Sequence, residues 1–177
     1  MFDEFRLLGT NADQRRIVVQ TRSGSNLENF VGPSAGPVCH NHFNALRQRH
    51  PHWEVRKEAC GVYNCAGMVW ASRRASLPNP DDWRLILSED GYRPLRNGES
   101  VAIGDIAVYI RRGGTEILHV GRVCRLDRLQ VYGHSTQTHP RILSKLDLSS
   151  GEAIHAFDDV VLNGGEAFEV HILTDRL

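Results

Sequence analysis

The second half of the chain, from residue 105 to residue 174, constrains the fold most. It consists of short runs rich in β-branched and aromatic residues, separated by Gly and Asp, with polar and apolar positions alternating. A period of two is typical of half-buried strands, and short connections favour antiparallel neighbours. The predicted strands are "DIAVYIRR", "EILHVGRVCRL", "RLQVYGHS", "RILSKL" and "AFEVHILT", joined by the turns "RGGT" and "LD" and by longer loops.

The first half has a different pattern. Apolar residues at helical spacing predict helices at about 39–50 and 64–75 and a short one within "DDWRLILSEDGYRPL". A strand candidate, "RIVVQT", and a loop rich in Gly, Ser and Pro precede them. Helices followed by strands predict an α+β fold. The length of 177 residues and 41% hydrophobic content fit one domain over 1–177, with an N-terminal extension at 1–37 and a core at 38–175.

Charge and hydropathy exclude several classes of partner. The 21 basic and 21 acidic side chains cancel, so we expect neither nucleic acid nor a membrane surface as a partner. No apolar run approaches the roughly 20 residues that span a bilayer, and the N-terminus lacks the pattern of a secretory signal. We therefore expect a cytoplasmic protein, or one delivered by a secretion system that needs no signal peptide. The cysteines at 39, 60, 65 and 124 are expected to be thiols.

Cys65 lies in the stretch "GVYNCAGMVWASRR", at the start of a predicted helix with Asn64 as its N-cap. The backbone amides and partial positive charge of a helix start favour a thiolate. The small residues Ala66 and Gly67 leave room for a substrate carbonyl to approach those amides as an oxyanion. The simpler alternative is that Cys65 is a small buried hydrophobic residue.

His119 lies inside the strand "EILHVGRV", where a buried imidazole needs a hydrogen-bond partner such as a thiolate. The stretches "YNCAGMVWAS", "GDIAVYI" and "ILHVGRV", in this order, resemble the permuted papain-like cysteine peptidases, namely the NlpC-like endopeptidases and CHAP-type amidases. The resemblance covers about residues 60–160. It implies a papain-like fold with N-terminal helices packed on an antiparallel sheet, Cys65 as nucleophile and His119 as general base. "RILSKLDLSSGEAIHAFDDV" also resembles the "SKWG…H" tail of some members, with Leu146 and Asp147 where Trp and Gly are usual.

The family normally has a third polar residue that orients the base. His134 is the first choice for this role, with Gln130 and Ser144 as alternatives. Asn64 stands where relatives often carry Asp, and we expect it to cap the helix and support the active-site loop. Tyr63 lines the pocket, donates to the oxyanion or packs as a hydrophobic staple. Tyr63, Asn64 and Ala66 are thus the predicted substrate and oxyanion residues.

The resulting hypothesis is a cysteine hydrolase that cleaves an amide bond through an acyl-enzyme. Its substrate is a peptide, an isopeptide or a peptidoglycan stem, with a protein target or inhibitor as a further partner. No cofactor is expected. The same Cys and His pair also supports deamidation or acyl transfer, because only the incoming nucleophile differs.

The competing hypothesis is a non-catalytic binding or zinc-stabilised module on the same scaffold. Several cysteines and histidines fall close together in sequence, but the two nearest cysteines and the histidine pairs at i and i+2 match zinc spacings only marginally. No metal ligand is therefore assigned. The residues concerned are Cys39, His40, His42, His50, His52, Cys60 and Cys65. The paired carboxylates at 81–82 and 158–159 are interpreted as solvated turn and cap residues.

Overall fold

An antiparallel sheet of seven strands forms the body of the structure. The computed structural model describes residues 15–131, 135–160, 162 and 165–176. Within them the strands lie in the order β1-β6-β5-β4-β3-β7-β2, each antiparallel to its neighbours. Their bounds are β1 Glu54–Lys57, β2 Arg93–Pro94, β3 Ile106–Arg111, β4 Ile117–Val131, β5 Ser135–Ser144, β6 Glu152–Ala156 and β7 Phe168–Thr174.

The described helices are short. They are α1 (Pro37–Arg49), α2 (Cys65–Trp70) and α3 (Pro80–Glu89). Proline at the first position starts α1 and α3, where its missing N–H costs no hydrogen bond. The α2 helix ends because Ser72 and Arg73 have φ of 51° and 64°, the left-handed region in which a helix cannot continue. No helix in the described ranges has both the length and the apolar content to cross a bilayer.

The predicted papain-like (NlpC/CHAP-type) α+β fold, with N-terminal helices packed on the sheet, is wrong. The structure is mostly antiparallel sheet, and its three described helices have only 13, 6 and 10 residues. The helix expected at 64–75 is halved by the two left-handed residues. Residues 54–57 and 152–156, for which no strand was predicted, add two strands to one edge of the sheet. The balance between helix and sheet therefore differs from the one that the resemblance implied.

Several predicted strands are confirmed, with changes in their extent. β3 and β7 match the predictions for "DIAVYIRR" and "AFEVHILT". The turn predicted at "LD" is wrong, because β4 continues through it as a strand of 15 residues. The N-terminal run "RIVVQT" makes only an isolated bridge, from Gln20 to Asn26, in the described residues.

β3 separates two regions of the core. Ile106 and Val108 pack in the same cluster as the apolar residues of α2 and α3, whereas Ala107 and Tyr109 pack in a cluster on the opposite side. All four residues are at most 1% exposed, which makes β3 a strand buried on both faces. We name the two sides of the sheet the Val108 face and the Tyr109 face. The α2 helix, with Cys65 at its start, belongs to the Val108 face.

Candidate active site around Cys65

Cys65 is the first residue of α2, and Asn64 is its N-cap as predicted. The Asn64 side chain makes three hydrogen bonds. Its Oδ1 accepts from the amides of Gly67 at 2.9 Å and Leu77 at 3.1 Å, and its Nδ2 donates to the Leu77 carbonyl at 2.8 Å. Asn64 therefore ties the start of the helix to the chain that follows it. Its amide donors are directed at Leu77, so it supports the loop rather than an oxyanion.

The cap also limits where an oxyanion could bind. The Gly67 amide already donates to Asn64, so it is occupied. Ala66 follows Cys65 in the first turn and is completely buried, and Cys65 itself is 7% exposed. Little of the helix start is therefore open to solvent, and the backbone amides of Cys65 itself and of Ala66 are the donors nearest in sequence to the sulfur.

Lys145 supplies a buried positive charge near this helix start. Its ammonium group donates to the carbonyls of Cys60 at 2.7 Å and of Asp147 and Leu148 at 2.9 Å, and also to that of Ser150. Burial lowers the pKa of Lys145 to about 8, while electrostatic interactions with Asp147 and with the cysteines at 60, 65 and 39 act to raise it. An ammonium group buried in this region favours a negative charge on a neighbouring sulfur.

Tyr63 donates a hydrogen bond to Glu152, which forms an ion pair with Arg73. Its hydroxyl donates to Glu152 Oε1 at 2.6 Å, and Arg73 donates to both Glu152 oxygens at 2.6 and 3.0 Å. Burial raises the pKa of Glu152, but the bonds from Arg73 and Tyr63 outweigh it, so the pKa of Glu152 lies below its usual range. Because Tyr63 is 1% exposed and its proton points to Glu152, it acts as structural support, not as an oxyanion donor.

The structure does not bring His119 to Cys65. His119 pairs across the ladder with Tyr109, and the two rings lie 5.2 Å apart. The next residue, Val120, pairs with Val108 and packs in the same cluster as Cys65. Since consecutive strand residues point to opposite faces, His119 lies on the Tyr109 face and the Cys65 helix on the Val108 face. The sheet therefore separates the predicted nucleophile from its predicted base.

His119 is instead a buried core residue. It is 1% exposed, and its Nε2 has no hydrogen-bond partner. Burial lowers the pKa of His119 to about 3, helped by the nearby His155 and opposed by Asp147. The ring is consequently neutral at physiological pH, with an unsatisfied nitrogen on the Tyr109 face.

The three candidates for the residue that orients the base lie in different surroundings. Ser144 is 1% exposed and its hydroxyl lies 2.7 Å from His155 Nε2. His155 Nδ1 donates to the Ala156 carbonyl at 2.7 Å, so Nε2 accepts the proton of Ser144. Gln130 pairs with Thr136 in the ladder of β4 and β5. His134 lies outside the described residues.

The thiol prediction is confirmed, whereas the sequence-based zinc cluster is not formed. In the part of the chain that the structure describes, the four cysteines are thiols and none is joined in a disulfide bond. Within the described ranges, the one group of three side chains that could hold a metal contains two histidines and an aspartate and no cysteine. A zinc ion held by Cys60 and Cys65 is therefore not supported by these residues.

Comparisons with models of protein families, with curated proteins and with solved structures find no match. The resemblance to cysteine peptidases therefore depends on the three sequence motifs alone.

Sequence reasoning did not identify Lys145 and Glu152 as neighbours of the candidate site, and it did not predict that Arg73 would pair with Glu152. Lys145, Glu152 and Arg73 are brought there by long-range contacts, 85 residues apart for Lys145 and Cys60 and 79 for Arg73 and Glu152. The available signal was the position of Lys145 and Glu152 inside or beside apolar runs, where an ionisable residue needs a partner.

Replacing His119 with leucine tests its assignment to the core. We expect the alkylation rate of Cys65 at neutral pH to stay within about twofold of wild type, because the ring lies across the sheet. The unfolding free energy should not fall, since leucine fills the space and removes an unsatisfied nitrogen whose burial costs about 1–3 kcal/mol. Mass spectrometry of alkylated peptides and urea unfolding measure the two effects. If Cys65 is alkylated ten times more slowly in His119→Leu than in wild type, His119 does act on Cys65 and its assignment to the core is wrong.

Proposed function

We propose that the protein is a thiol-dependent amide hydrolase with Cys65 as its nucleophile. The observation that carries this proposal is the triple bonding of Asn64, which fixes Cys65 as the first residue of a capped helix. The Lys145 ammonium group adds an attraction for the thiolate from the side of the 145–150 segment. The proposal does not include His119.

In the proposed reaction the sulfur of Cys65 attacks the substrate carbonyl and forms a C–S bond. The Ala66 amide stabilises the oxyanion. The C–N bond then breaks, and the amine takes a proton from water, which replaces the proton that the thiol released to solvent when it ionised. Water hydrolyses the thioester to release the acid and regenerate the thiol. Lys145, held by four carbonyls, contributes charge to the thiolate and does not transfer protons.

The substrate class follows from the sequence motifs and is part of the proposal. We propose a peptide, an isopeptide or a peptidoglycan stem, because the resemblance of "YNC", "GD" and "HVG" to motifs of cysteine peptidases implies such an amide. If ammonia or an added amine takes part instead, the same nucleophile carries out deamidation or acyl transfer. Product analysis by mass spectrometry separates these three reactions.

The Cys65→Ala variant is expected to abolish labelling by electrophilic peptide and peptidoglycan-stem probes, together with any amide turnover that the probes reveal. Removing the sulfur deletes the group that forms the acyl-enzyme, while a small apolar side chain still fits the helix start. Mass spectrometry of the intact protein measures labelling, and circular dichroism verifies the fold.

Cys60→Ala is the matched control. Cys60 also lies near Lys145 but not at a helix start, so this variant should keep wild-type labelling. Labelling that survives in Cys65→Ala and disappears in Cys60→Ala would contradict the choice of nucleophile.

A further inference from the structure

A second group of ligating side chains lies outside the Cys65 site, where α1 ends. Suitable atoms of His50, His52 and Asp159 lie within 4.8 Å of one another. His52 Nε2 is 2.5 Å from Asp159 Oδ2, and His50 Nδ1 is 3.8 Å from Asp159 Oδ1. In the part of the chain that the structure describes, no other such group of three occurs. The tertiary fold thus joins two neighbouring histidines to a carboxylate more than 100 positions away.

The spacing suits a tetrahedral ion. Bonds of about 2.0–2.2 Å to nitrogen and oxygen place neighbouring ligand atoms roughly 3.3 Å apart. The two measured separations, 2.5 and 3.8 Å, lie on either side of this value. The side chain of His52 is 59% exposed, so it has room to turn as an ion replaces its hydrogen bond to Asp159.

Neighbouring contacts orient the other two ligands. The Trp53 indole donates to Asp159 Oδ2 at 2.8 Å. The ring of His50 stacks on that of Trp53, with centroids 4.1 Å apart and planes at 16°. Such supporting contacts are what metal ligands use to hold their orientation. Trp53 is itself 7% exposed and therefore provides a rigid base.

The group borders an open groove. A cavity of about 520 Å³ is lined by residues of α1, of β1 and of the segment between them, including Arg47, His50 and Trp53. Three protein ligands leave the fourth position of a tetrahedral ion for water or another small ligand. The 59% exposure of the His52 side chain leaves the group accessible to solvent.

We propose that His50, His52 and Asp159 bind one divalent transition-metal ion, with Zn²⁺ as the best match to two imidazoles and one carboxylate. This site differs from a zinc cluster built on the cysteines, because its ligands are nitrogen and oxygen only. It does not depend on the hydrolase proposal, and each can fail without the other.

Titration of the full chain with Co²⁺ and Zn²⁺ tests the site. We expect one Co²⁺ to bind with the visible d–d bands of a tetrahedral ion and without the intense near-ultraviolet band of a thiolate ligand. Zn²⁺ should displace it and raise the unfolding temperature, because a ligand that binds only the folded state stabilises it. The His52→Ala and Asp159→Asn variants should lose at least about tenfold in affinity.

His171→Ala is the matched control. His171 is exposed and lies 3.9 Å from the Glu169 carboxylate, but it belongs to no group of three ligands. The His171→Ala variant should bind Co²⁺ and Zn²⁺ with the same affinity as wild type. The proposal is overturned if wild type binds no ion, if a thiolate band appears, or if His52→Ala, at an exposed position that should tolerate alanine, binds like wild type.

Discussion

Lys145→Met is expected to lower the unfolding free energy by about 3–5 kcal/mol. Removing one partner of a buried charged contact leaves the other partner buried without a hydrogen bond. Lys145 is completely buried, and its ammonium group joins the carbonyl of Cys60 to three carbonyls of the segment 147–150. Methionine fills nearly the same volume but donates no hydrogen bond. All four acceptors would then be buried without this donor. Urea unfolding monitored by tryptophan fluorescence measures the loss.

Lys57→Met is the control for this variant. Lys57 also places its ammonium group near the ring of Tyr63, at 5.1 Å from its centroid compared with 5.5 Å for Lys145. Lys57 is exposed, so its replacement should change the unfolding free energy by no more than about 0.5 kcal/mol. A loss below about 1 kcal/mol for Lys145→Met would mean that water or local movement satisfies the carbonyls.

Acid is expected to destabilise the protein by about 5 kcal/mol between pH 7 and pH 4.5. Burial lowers the pKa of His119 to about 3 and that of His155 to about 4, whereas both titrate near 6.5 when unfolded. Below pH 6.5 the unfolded chain therefore binds protons that the folded chain does not. Stability is complete above pH 6.5 and decreases as the pH falls towards the folded pKa values. Urea unfolding at a series of pH values measures this slope.

The leucine variant at position 119 separates the contributions of the two histidines. His119→Leu should roughly halve the pH dependence, because one of the two proton-binding rings is absent. Replacing the exposed His171 with alanine should leave it unchanged. A wild-type protein with equal stability at pH 7 and pH 4.5 would show that the two imidazoles are not held neutral in the folded state.

The sequence pattern was sufficient to predict elements whose formation depends on residues within the element itself. Asn64 was expected to cap a helix, and it does, because an amide oxygen can reach the third amide after it. Alternation along "DIAVYIRR" correctly predicted β3. In contrast, β1 and β6 have only four and five residues, and they exist because they pair with each other and with β5. Such short strands have no local signal strong enough to distinguish them from loops.

The position of His119 depends on register, which sequence cannot provide. The ladder pairs Tyr109 with His119 but Ile110 with Ile117, so β4 carries one extra residue, Leu118, at this point. A bulge of one residue changes which side chains face each side of a sheet. The "HVG" motif therefore could not establish that the imidazole faces the nucleophile.

Ion pairs explain why β4 is longer than predicted. The "LD" pair was expected to form a turn, but Asp127 accepts a hydrogen bond from Arg125 at 2.9 Å within the strand. Arg125 also donates to Glu54 of β1 at 2.7 and 3.0 Å. The contact with Glu54 joins residues 71 positions apart, so the propensity of Asp for turns was a misleading guide.

The most direct test of the central claim is the rate at which each cysteine of the folded chain reacts with iodoacetamide across neutral pH, resolved by mass spectrometry. If the capped helix start and Lys145 stabilise a nucleophilic thiolate, Cys65 will react faster than Cys39, Cys60 and Cys124 and faster than a free model thiol at pH 7. A Cys65 that reacts more slowly than the model thiol, with the other cysteines reacting before it, would contradict the proposed function.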